Sequence, residues 1–200
     1  MKIAKFLFIP YFLLKLSALL AQNENHEGIP MPSLQIAPAI GINPWPTADL
    51  VFSNLVEYNI TGHFSLAAYS TYSHNNAFHR NFNYIQNEHN YSLSQKFGVG
   101  TTIHKKRASH AFLLLGGIKY SKSKETLENP EFETISGQTA SFDPDFGAMY
   151  HLQLGKKKYF FSYRMYLPLY PYPIQRPDIT AIDGNMANIS LEFGLGIRLK

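Results

Sequence analysis

The stretch Asn188–Lys200, NISLEFGLGIRLK, decides the fold. From Ile189 to Leu199 every odd-numbered position is Ile, Leu or Phe, and every even-numbered position is small or polar. Because successive side chains of a β-strand point to opposite faces, this pattern predicts a strand with one apolar and one polar face. The polar face mixes Gly and Ser with the isolated charges of Glu192 and Arg198. Such a mixture is typical of the narrow interior of a β-barrel.

Seven earlier segments of the chain have the same period of two, although less cleanly. They predict strands at Leu34–Ile42, Leu50–Ile60, Phe64–Tyr72, Tyr91–Ile103, His110–Tyr120, Phe146–Leu154 and Tyr159–Leu167. Pro38 lacks a backbone donor, so we expect a bend or bulge in the first strand. The second segment carries Asn54 on its apolar face and is also compatible with a helix. The sequence therefore predicts an all-β chain of eight strands.

The connections between these segments alternate between short and long. Three are tight turns, at Thr61–His63, His104–Ser109 and Gly155–Lys158. The others are predicted as loops at Asn43–Asp49, Asn75–Asn90, Lys122–Ser141 and Pro168–Met186. This alternation indicates an antiparallel up-and-down barrel with its turns at one end and its loops at the other.

The N-terminus has the form of a secretory signal peptide. Lys2 and Lys5 precede an apolar run, Phe6–Ala21, which Pro10 and Lys15 interrupt, so it is too short for a spanning helix. We expect a signal peptide at 1–21, a short segment at 22–32 and a barrel at 33–200. Cleavage removes three lysines and lowers the formal net charge from +4 to +1. That charge argues against nucleic-acid binding, and the absence of cysteine means that no disulfide stabilises the exported chain.

The signal, the eight alternating segments, the polarised connections and the terminal strand together resemble the small eight-stranded outer-membrane β-barrels of Gram-negative bacteria, of the OmpA-transmembrane and OmpX type. The resemblance covers roughly residues 30 to 200 and includes no catalytic motif. It implies an eight-stranded antiparallel transmembrane barrel in the cell outer membrane, with short periplasmic turns and long extracellular loops. It also implies contact with outer-membrane lipids and lipopolysaccharide, and insertion by the barrel-assembly machinery.

A soluble secreted barrel that binds a ligand alternates in the same way, with its apolar face turned inward. The Gly and Ser content of the polar face and the polarised loops favour the membrane alternative. So do aromatic residues near both ends of the strands, since aromatic girdles mark membrane interfaces. These are Tyr58, Phe64 and Tyr159 at the turn end, and Tyr72, Tyr91 and Tyr120 at the loop end. We therefore expect Leu191, Phe193 and Leu195 to face lipid.

With the apolar face outside, eight charged or titratable side chains point into the interior. They are Glu57, Lys96, Lys119, Asp145, His151, Arg164, Glu192 and Arg198. A narrow interior must pair its charges. Positions along neighbouring strands predict ion pairs between Arg164 and Glu192 and between Lys119 and Asp145. Eight strands leave room only for side chains, so we expect a filled barrel and not a pore.

Candidate catalytic and metal-binding residues are few. His63 and Ser65 share a face and could act as base and nucleophile in a lipid-A-modifying enzyme. Their turn lies a membrane thickness from the outer leaflet, where lipopolysaccharide is located. This distance favours the alternative in which His63 is a turn residue and Ser65 is an interior serine, without a catalytic role. Two loop clusters match no tight ligand pattern and are interpreted as solvated: His74, His79 and His89, and Glu125, Glu128, Glu131 and Glu133. We expect no catalytic site, metal or cofactor.

The third long loop is the most distinctive external segment. It contains Tyr170, Pro171, Tyr172 and Pro173, and its prolines favour a stiff, extended backbone that exposes the aromatic rings. Such a loop could bind an external glycan or protein ligand. A purely structural role, in which the stiff loop resists proteases, fits the pattern equally well. The chain is thus expected to serve in surface binding, adhesion or membrane integrity.

Two of the predicted turns are strongly basic. Six of the fifteen Lys and Arg residues after Ala21 lie in them: Lys105, Lys106, Arg107, Lys156, Lys157 and Lys158. Attraction to anionic headgroups and simple solubility of the turns both account for this pattern.

Overall fold

The chain is described by a computed structural model over residues 32–43, 49–61, 63–74, 85–105, 107–127, 135–155, 157–170 and 189–199. These residues form eight strands: β1 (Ser33–Asn43), β2 (Asp49–Asn59), β3 (Phe64–His74), β4 (Ile85–His104), β5 (Ala108–Leu127), β6 (Ile135–Leu154), β7 (Tyr159–Tyr170) and β8 (Ser190–Leu199). Within these ranges, no helix is long and apolar enough to cross a membrane. The predicted signal peptide at 1–21 and nearly all of the segment at 22–32 lie outside the described residues.

Each strand pairs antiparallel with the next, and β8 pairs with β1, so the sheet closes into a barrel in chain order. This confirms the predicted eight-stranded up-and-down architecture. β2, whose sequence is also compatible with a helix, is a strand paired along its length with β1 and β3. Closure removes the exposed edges that an open sheet would present.

The strands β4, β5 and β6 are longer than the sequence pattern predicts. β4 begins at Ile85, β5 continues to Leu127 and β6 begins at Ile135. The predicted loops Asn75–Asn90 and Lys122–Ser141 are therefore wrong at their ends. The added residues are largely polar on both faces, so no apolar alternation marks them, and cross-strand backbone hydrogen bonds need none. The three strands continue as a sheet beyond the positions where β3 and β7 stop pairing with them.

Pro38 interrupts the barrel without adding a residue. The register between β1 and β2 runs through it unbroken. In the pairing of β1 with β8, Ala37 and Pro38 have no partner residue on β8. Pairing resumes at Ala39 in the same register. Of the predicted bend or bulge, the bulge is thus wrong, because the missing donor costs ladder pairs without shifting the register. A true register shift lies in the β6–β7 pairing, between Phe146 and Gly147.

The polarity of the barrel is inverted relative to that of a soluble protein. Large apolar side chains on its outer face are exposed, with Phe142 and Leu195 each at 71% and Leu114 at 62%. The interior instead buries charged groups, and Arg164 and Glu192 are each 0% exposed. The alternation in the sequence therefore places its polar residues inside.

Glycines of the polar face make room for inward-pointing rings. A Cβ atom at Gly147 would lie 2.4 Å from the ring of Tyr166, and one at Gly196 would lie 2.1 Å from the ring of Phe160. These distances are shorter than any van der Waals contact, so a larger residue would displace the rings. The small residues that first indicated an interior face thus have a packing role there.

Candidate functional site

The middle of the interior is centred on a buried ion pair. Arg164 on β7 and Glu192 on β8 lie opposite each other in the register. Nε of Arg164 is 3.0 Å from Oε2 of Glu192, a contact of charges outside good hydrogen-bond angles. The guanidinium donates through Nη1 to the carbonyl of Ala37, at 2.9 Å, and through Nη2 to Ser53 Oγ, at 2.9 Å. The sequence predicts this same pairing of Arg164 with Glu192.

Three hydroxyl groups complete the shell around the Glu192 carboxylate. Ser53 donates to Oε2 at 2.6 Å, Ser190 donates to Oε1 at 2.7 Å, and the hydroxyl of Tyr69 also donates to Oε1. A buried charge is tolerated when it is both paired and hydrogen-bonded. Both ions of the central pair meet that condition.

The loop end of the interior holds a second ion pair, which differs from the predicted one. Asp145 pairs with Lys96, at 2.7 Å, and also accepts a hydrogen bond of 2.6 Å from the hydroxyl of Tyr166. Lys119 lies across from Asp143, two residues away from the predicted match with Asp145. The predicted Lys119–Asp145 register is therefore wrong.

A glycine explains how Asp145 on β6 pairs with Lys96 on β4, although β5 lies between them. Gly117 on β5 lies between Lys96 on β4 and Asp145 on β6 in the same row of the register. Since glycine has no side chain, the Lys96 chain passes over β5 and reaches the carboxylate. Lys119, half-buried, lines a small crevice above this pair together with Lys96 and Asp145.

The turn end contains a third cluster, built around Glu57. Nδ1 of His151 lies 3.1 Å from Oε2 of Glu57, and Nε2 of His151 lies 2.9 Å from Ser162 Oγ. Thr102 donates to the other carboxylate oxygen at 3.1 Å. Arg198 closes this end, donating through Nη2 to Gln153 Oε1 at 3.0 Å.

The connectivity Ser162–His151–Glu57 is that of a Ser–His–acid triad. A triad acts only where a substrate carbonyl can reach the serine. Ser162 and Glu57 are 0% exposed and His151 is 1% exposed, so the packed interior shields all three from a substrate. The cluster is a structural network that holds β2, β6 and β7 together.

The other candidate pair, His63 and Ser65, is not brought together. His63 is exposed in the turn, whereas Ser65 is buried and bonds Asn59 Oδ1 at 2.5 Å and Thr102 Oγ1 at 2.7 Å. Alternation predicts a shared face, but His63 precedes the strand and does not follow its period. No arrangement for nucleophilic catalysis results.

The loop candidates lie mostly outside the described residues. Tyr170 ends β7 and is described by its backbone alone, whereas Pro171, Tyr172 and Pro173 fall beyond it. The side chains of the two loop clusters are likewise undescribed, except that of His74. Among the residues that are described, no group of three or more His, Asp or Glu side chains could hold a metal ion.

Two tyrosines of the interior were missed by the sequence pattern. Tyr69 and Tyr166 point inward, are nearly fully buried and lie with ring centroids 5.8 Å apart. Lys96 Nζ lies 4.5 Å from the centroid of the Tyr166 ring, a cation–π distance. Both tyrosines fall on the polar face in the alternation of their strands, and this was the sequence signal that could have placed them inside.

The outer face carries a continuous row of aromatic rings at the loop end. Successive ring centroids lie between 4.8 and 6.4 Å apart along the row. The row crosses five strands, β2 to β6, through Phe52, Tyr72, Tyr91, Tyr120 and Phe142. The aromatic residues predicted for this end of the barrel thus lie together on its outer surface.

These features define the class of the molecule as a closed eight-stranded β-barrel with a filled interior that contains buried ion pairs, and an apolar outer surface edged by aromatic rings. Neither a protein-family model nor a curated protein matches the sequence.

Among solved structures, the chain is similar to Ail, the attachment invasion locus protein of Yersinia pestis, at 14% identity and a TM-score of 0.48, with 84% of this chain and 97% of that one covered. Ail was also solved in complex with the heparin analogue sucrose octasulfate. The N-terminal β-barrel domain of Pseudomonas aeruginosa OprF is similar at 13% identity and a TM-score of 0.44, covering 84% and 98%. Neisserial surface protein A is similar at 13% identity and a TM-score of 0.42, with 84% of this chain and 94% of that one covered. At these identities the likeness concerns the fold alone.

Proposed function

We propose that the chain is an integral outer-membrane β-barrel, exported through the signal peptide at 1–21, which acts without catalysis through its external loops. The observation that carries this proposal is the inverted polarity of the barrel. Exposing so many large apolar side chains to water would be unfavourable, whereas a bilayer is the solvent that they fit.

The height of the apolar surface supports the membrane proposal. On β4 the outward apolar residues run from Leu93 to Ile103 and include Phe97 and Val99, all of them exposed. Ten residue steps span about 33 Å along a strand, or about 25 Å along the barrel axis at a tilt of about 40°. The apolar band of known membrane barrels is also about 25 Å tall.

One pair of polar side chains within this band is joined by a hydrogen bond. Ser70 on β3 and Gln95 on β4 both point outward, and Ser70 Oγ donates to Gln95 Oε1 at 2.5 Å. In hydrocarbon an unpaired polar group has no water to bond, so such pairing lowers the cost of placing it there.

The interior supports a role other than transport. Its three clusters bury Lys96, Arg164 and Arg198 together with the carboxylates of Glu57, Asp145 and Glu192. Together with buried apolar side chains such as Leu55, Leu113 and Met149, these charges fill the lumen and leave no aqueous path for a solute through this part of the barrel. The loops are then the parts available for a partner, and we propose surface binding or adhesion, with an external glycan or protein as ligand.

The membrane proposal predicts outer-membrane fractionation and heat-modifiable migration. The folded barrel should migrate faster than the boiled chain in a detergent gel, because its closed sheet resists detergent without heating. Expression in a Gram-negative host and separation of the membranes would provide the location. Recovery in a soluble fraction would contradict the proposal and favour a secreted ligand-binding barrel.

The proposed loop role predicts that Tyr170 and Tyr172 contribute to binding. The double variant Tyr170→Ser/Tyr172→Ser should reduce attachment of expressing cells to a glycan array or to host cells by tenfold or more, because two aromatic rings in contact with a ligand contribute about 1 kcal/mol each. Surface abundance of the variant, measured by whole-cell labelling, is the control. Unchanged attachment at equal abundance would leave the loop with a purely structural role.

A further inference from the structure

The turn end of the barrel carries a group of cations that the proposed function does not use. We call it the basic rim, and it is made of Lys105, Arg107, Lys157 and Lys158. The last three are exposed. The two turns concerned, at residues 105–107 and 155–158, contain no Asp or Glu, and the sequence adds Lys106 and Lys156 to them. The rim is therefore a patch of one sign.

A backbone hydrogen bond joins the two basic turns into one unit. The amide of Gly155 in one turn donates to the carbonyl of Arg107 in the other, at 3.0 Å. Gly155 has a φ of 107°, a backbone conformation that glycine adopts without strain. The two turns are thus held side by side, and so are the cations that they carry.

Arg198 on β8 holds the second turn, at residues 155–158, in place through hydrogen bonds to its carbonyl groups. Its Nη1 donates to the carbonyl of Gly155 at 2.8 Å and to that of Lys157 at 3.0 Å. Its own amide donates to the carbonyl of Lys158, at 2.8 Å. Like charges held close together repel one another, so a counter-charge from outside the chain would stabilise this arrangement.

The rim lies at the lower edge of the apolar band. Tyr159, at 68% exposure, follows Lys158 directly, and Lys158 Nζ lies 5.8 Å from the centroid of its ring. Leu154 and Ile103, both exposed, begin the apolar surface next to the two turns. Lysine stems can extend along such a surface while their ammonium groups stay in the polar layer. In a bilayer, that layer contains the headgroups.

We propose that the basic rim binds anionic phospholipid headgroups of the leaflet around the turn end. This inference rests on the membrane proposal above. The chemistry favours a headgroup with net negative charge, because the phosphate of phosphatidylcholine is already neutralised by its own choline. Each Lys or Arg near a membrane surface contributes about 1 kcal/mol, which is about a fivefold preference per charge.

The test places a tryptophan reporter beside the rim. Trp45 is the one tryptophan of the chain, so the variant Trp45→Phe/Tyr159→Trp carries its fluorophore at the rim alone. The protein is reconstituted into vesicles that mix phosphatidylcholine with phosphatidylglycerol, with one or the other brominated. Bromine quenches tryptophan at short range, so the two quenching curves give the relative affinity of the lipids at the rim. We expect a preference of fivefold or more for phosphatidylglycerol. The preference should fall in 0.5 M salt, because the Debye length is then only about 3 to 5 Å and the charges are screened.

A matched pair of variants locates the effect. Lys157→Gln/Lys158→Gln, on the reporter background, should lower the preference severalfold, because it removes two of the four cations of the rim and leaves Lys105 and Arg107 in place. Lys122→Gln/Lys124→Gln removes the same charge near the opposite end of β5 and should leave the preference unchanged. Equal quenching by both lipids, or an equal effect of both double variants, would overturn the proposal and leave the turns as solvated loops.

Flotation separates this outcome from failure of the membrane proposal. A protein that floats with vesicles of either lipid but shows no preference is a membrane barrel without a lipid-binding rim. A protein that floats with neither lipid would overturn the membrane proposal and this inference together.

Discussion

Replacing Glu192 by Gln should lower the free energy of unfolding by about 3 to 5 kcal/mol, because it leaves the Arg164 charge buried without its counter-ion. Both side chains are 0% exposed, so water cannot screen the remaining charge. Glutamine keeps the shape of the side chain, which separates the loss of charge from the creation of a cavity. Urea unfolding of the reconstituted barrel, followed by the shift from folded to unfolded gel mobility, would measure the loss.

A compensating variant tests the cause of that effect. Arg164→Met/Glu192→Gln removes both charges and should recover most of the stability, since the cost of the single variant comes from a buried charge left without its counter-ion. If Glu192→Gln alone were as stable as the parent chain, the central pair would not be the ionic contact that the geometry indicates. If the double variant were no better than the single one, lost packing would be the cause.

The faces of the strands follow from the sequence because the period of two is strict. Glu57, Arg164 and Glu192 each fall on the polar row of their strand, and each is fully buried. Adjacent strands can be compared directly along such rows, so the contact between Arg164 and Glu192 was within reach of the pattern. The same parity marked Tyr69 as an inward residue, but a tyrosine also suits the aromatic girdle, and the pattern could not distinguish the two.

Contacts across the lumen were beyond the reach of the pattern. Lys96 and Asp145 lie on strands that are not neighbours and meet only because Gly117 leaves the row between them empty. Glu57 on β2 and His151 on β6 lie still farther apart along the sheet, yet their side chains touch. Which residues meet in this way depends on the tilt and shear of the closed barrel, and these are properties of all eight strands together.

The extended ends of β4, β5 and β6 were missed for a different reason. Alternation detects a strand only where one face is apolar and the other polar. Beyond the barrel the residues of Lys122–Leu127 pair with both neighbours through their backbones, although their side chains are mostly polar. Sequence pattern therefore located most of the part of each strand that carries the apolar surface. It missed Phe142 of the aromatic row and the polar part of the strands that rises above it.

Replacing Leu195 by Arg tests whether that apolar surface meets lipid. Leu195 is 71% exposed and lies midway along the outward face of β8, between Leu191 and Leu199. An arginine at the midplane of a bilayer should cost about 2 to 4 kcal/mol in a membrane barrel. On a soluble barrel, the same exposed substitution should change stability by no more than about 0.5 kcal/mol.

Leu199→Arg is the matched control, because it makes the same chemical change at the turn end of the same strand and on the same face. Near the interface the cost should fall to about 0 to 1 kcal/mol. Urea unfolding in phospholipid vesicles would measure both variants against the parent chain. A large difference between the two positions is expected only if stability depends on depth, and depth has meaning only if a bilayer surrounds the barrel. Equal small effects at both positions would instead mean that the outer face meets water, and the exposed apolar side chains would then require a different partner.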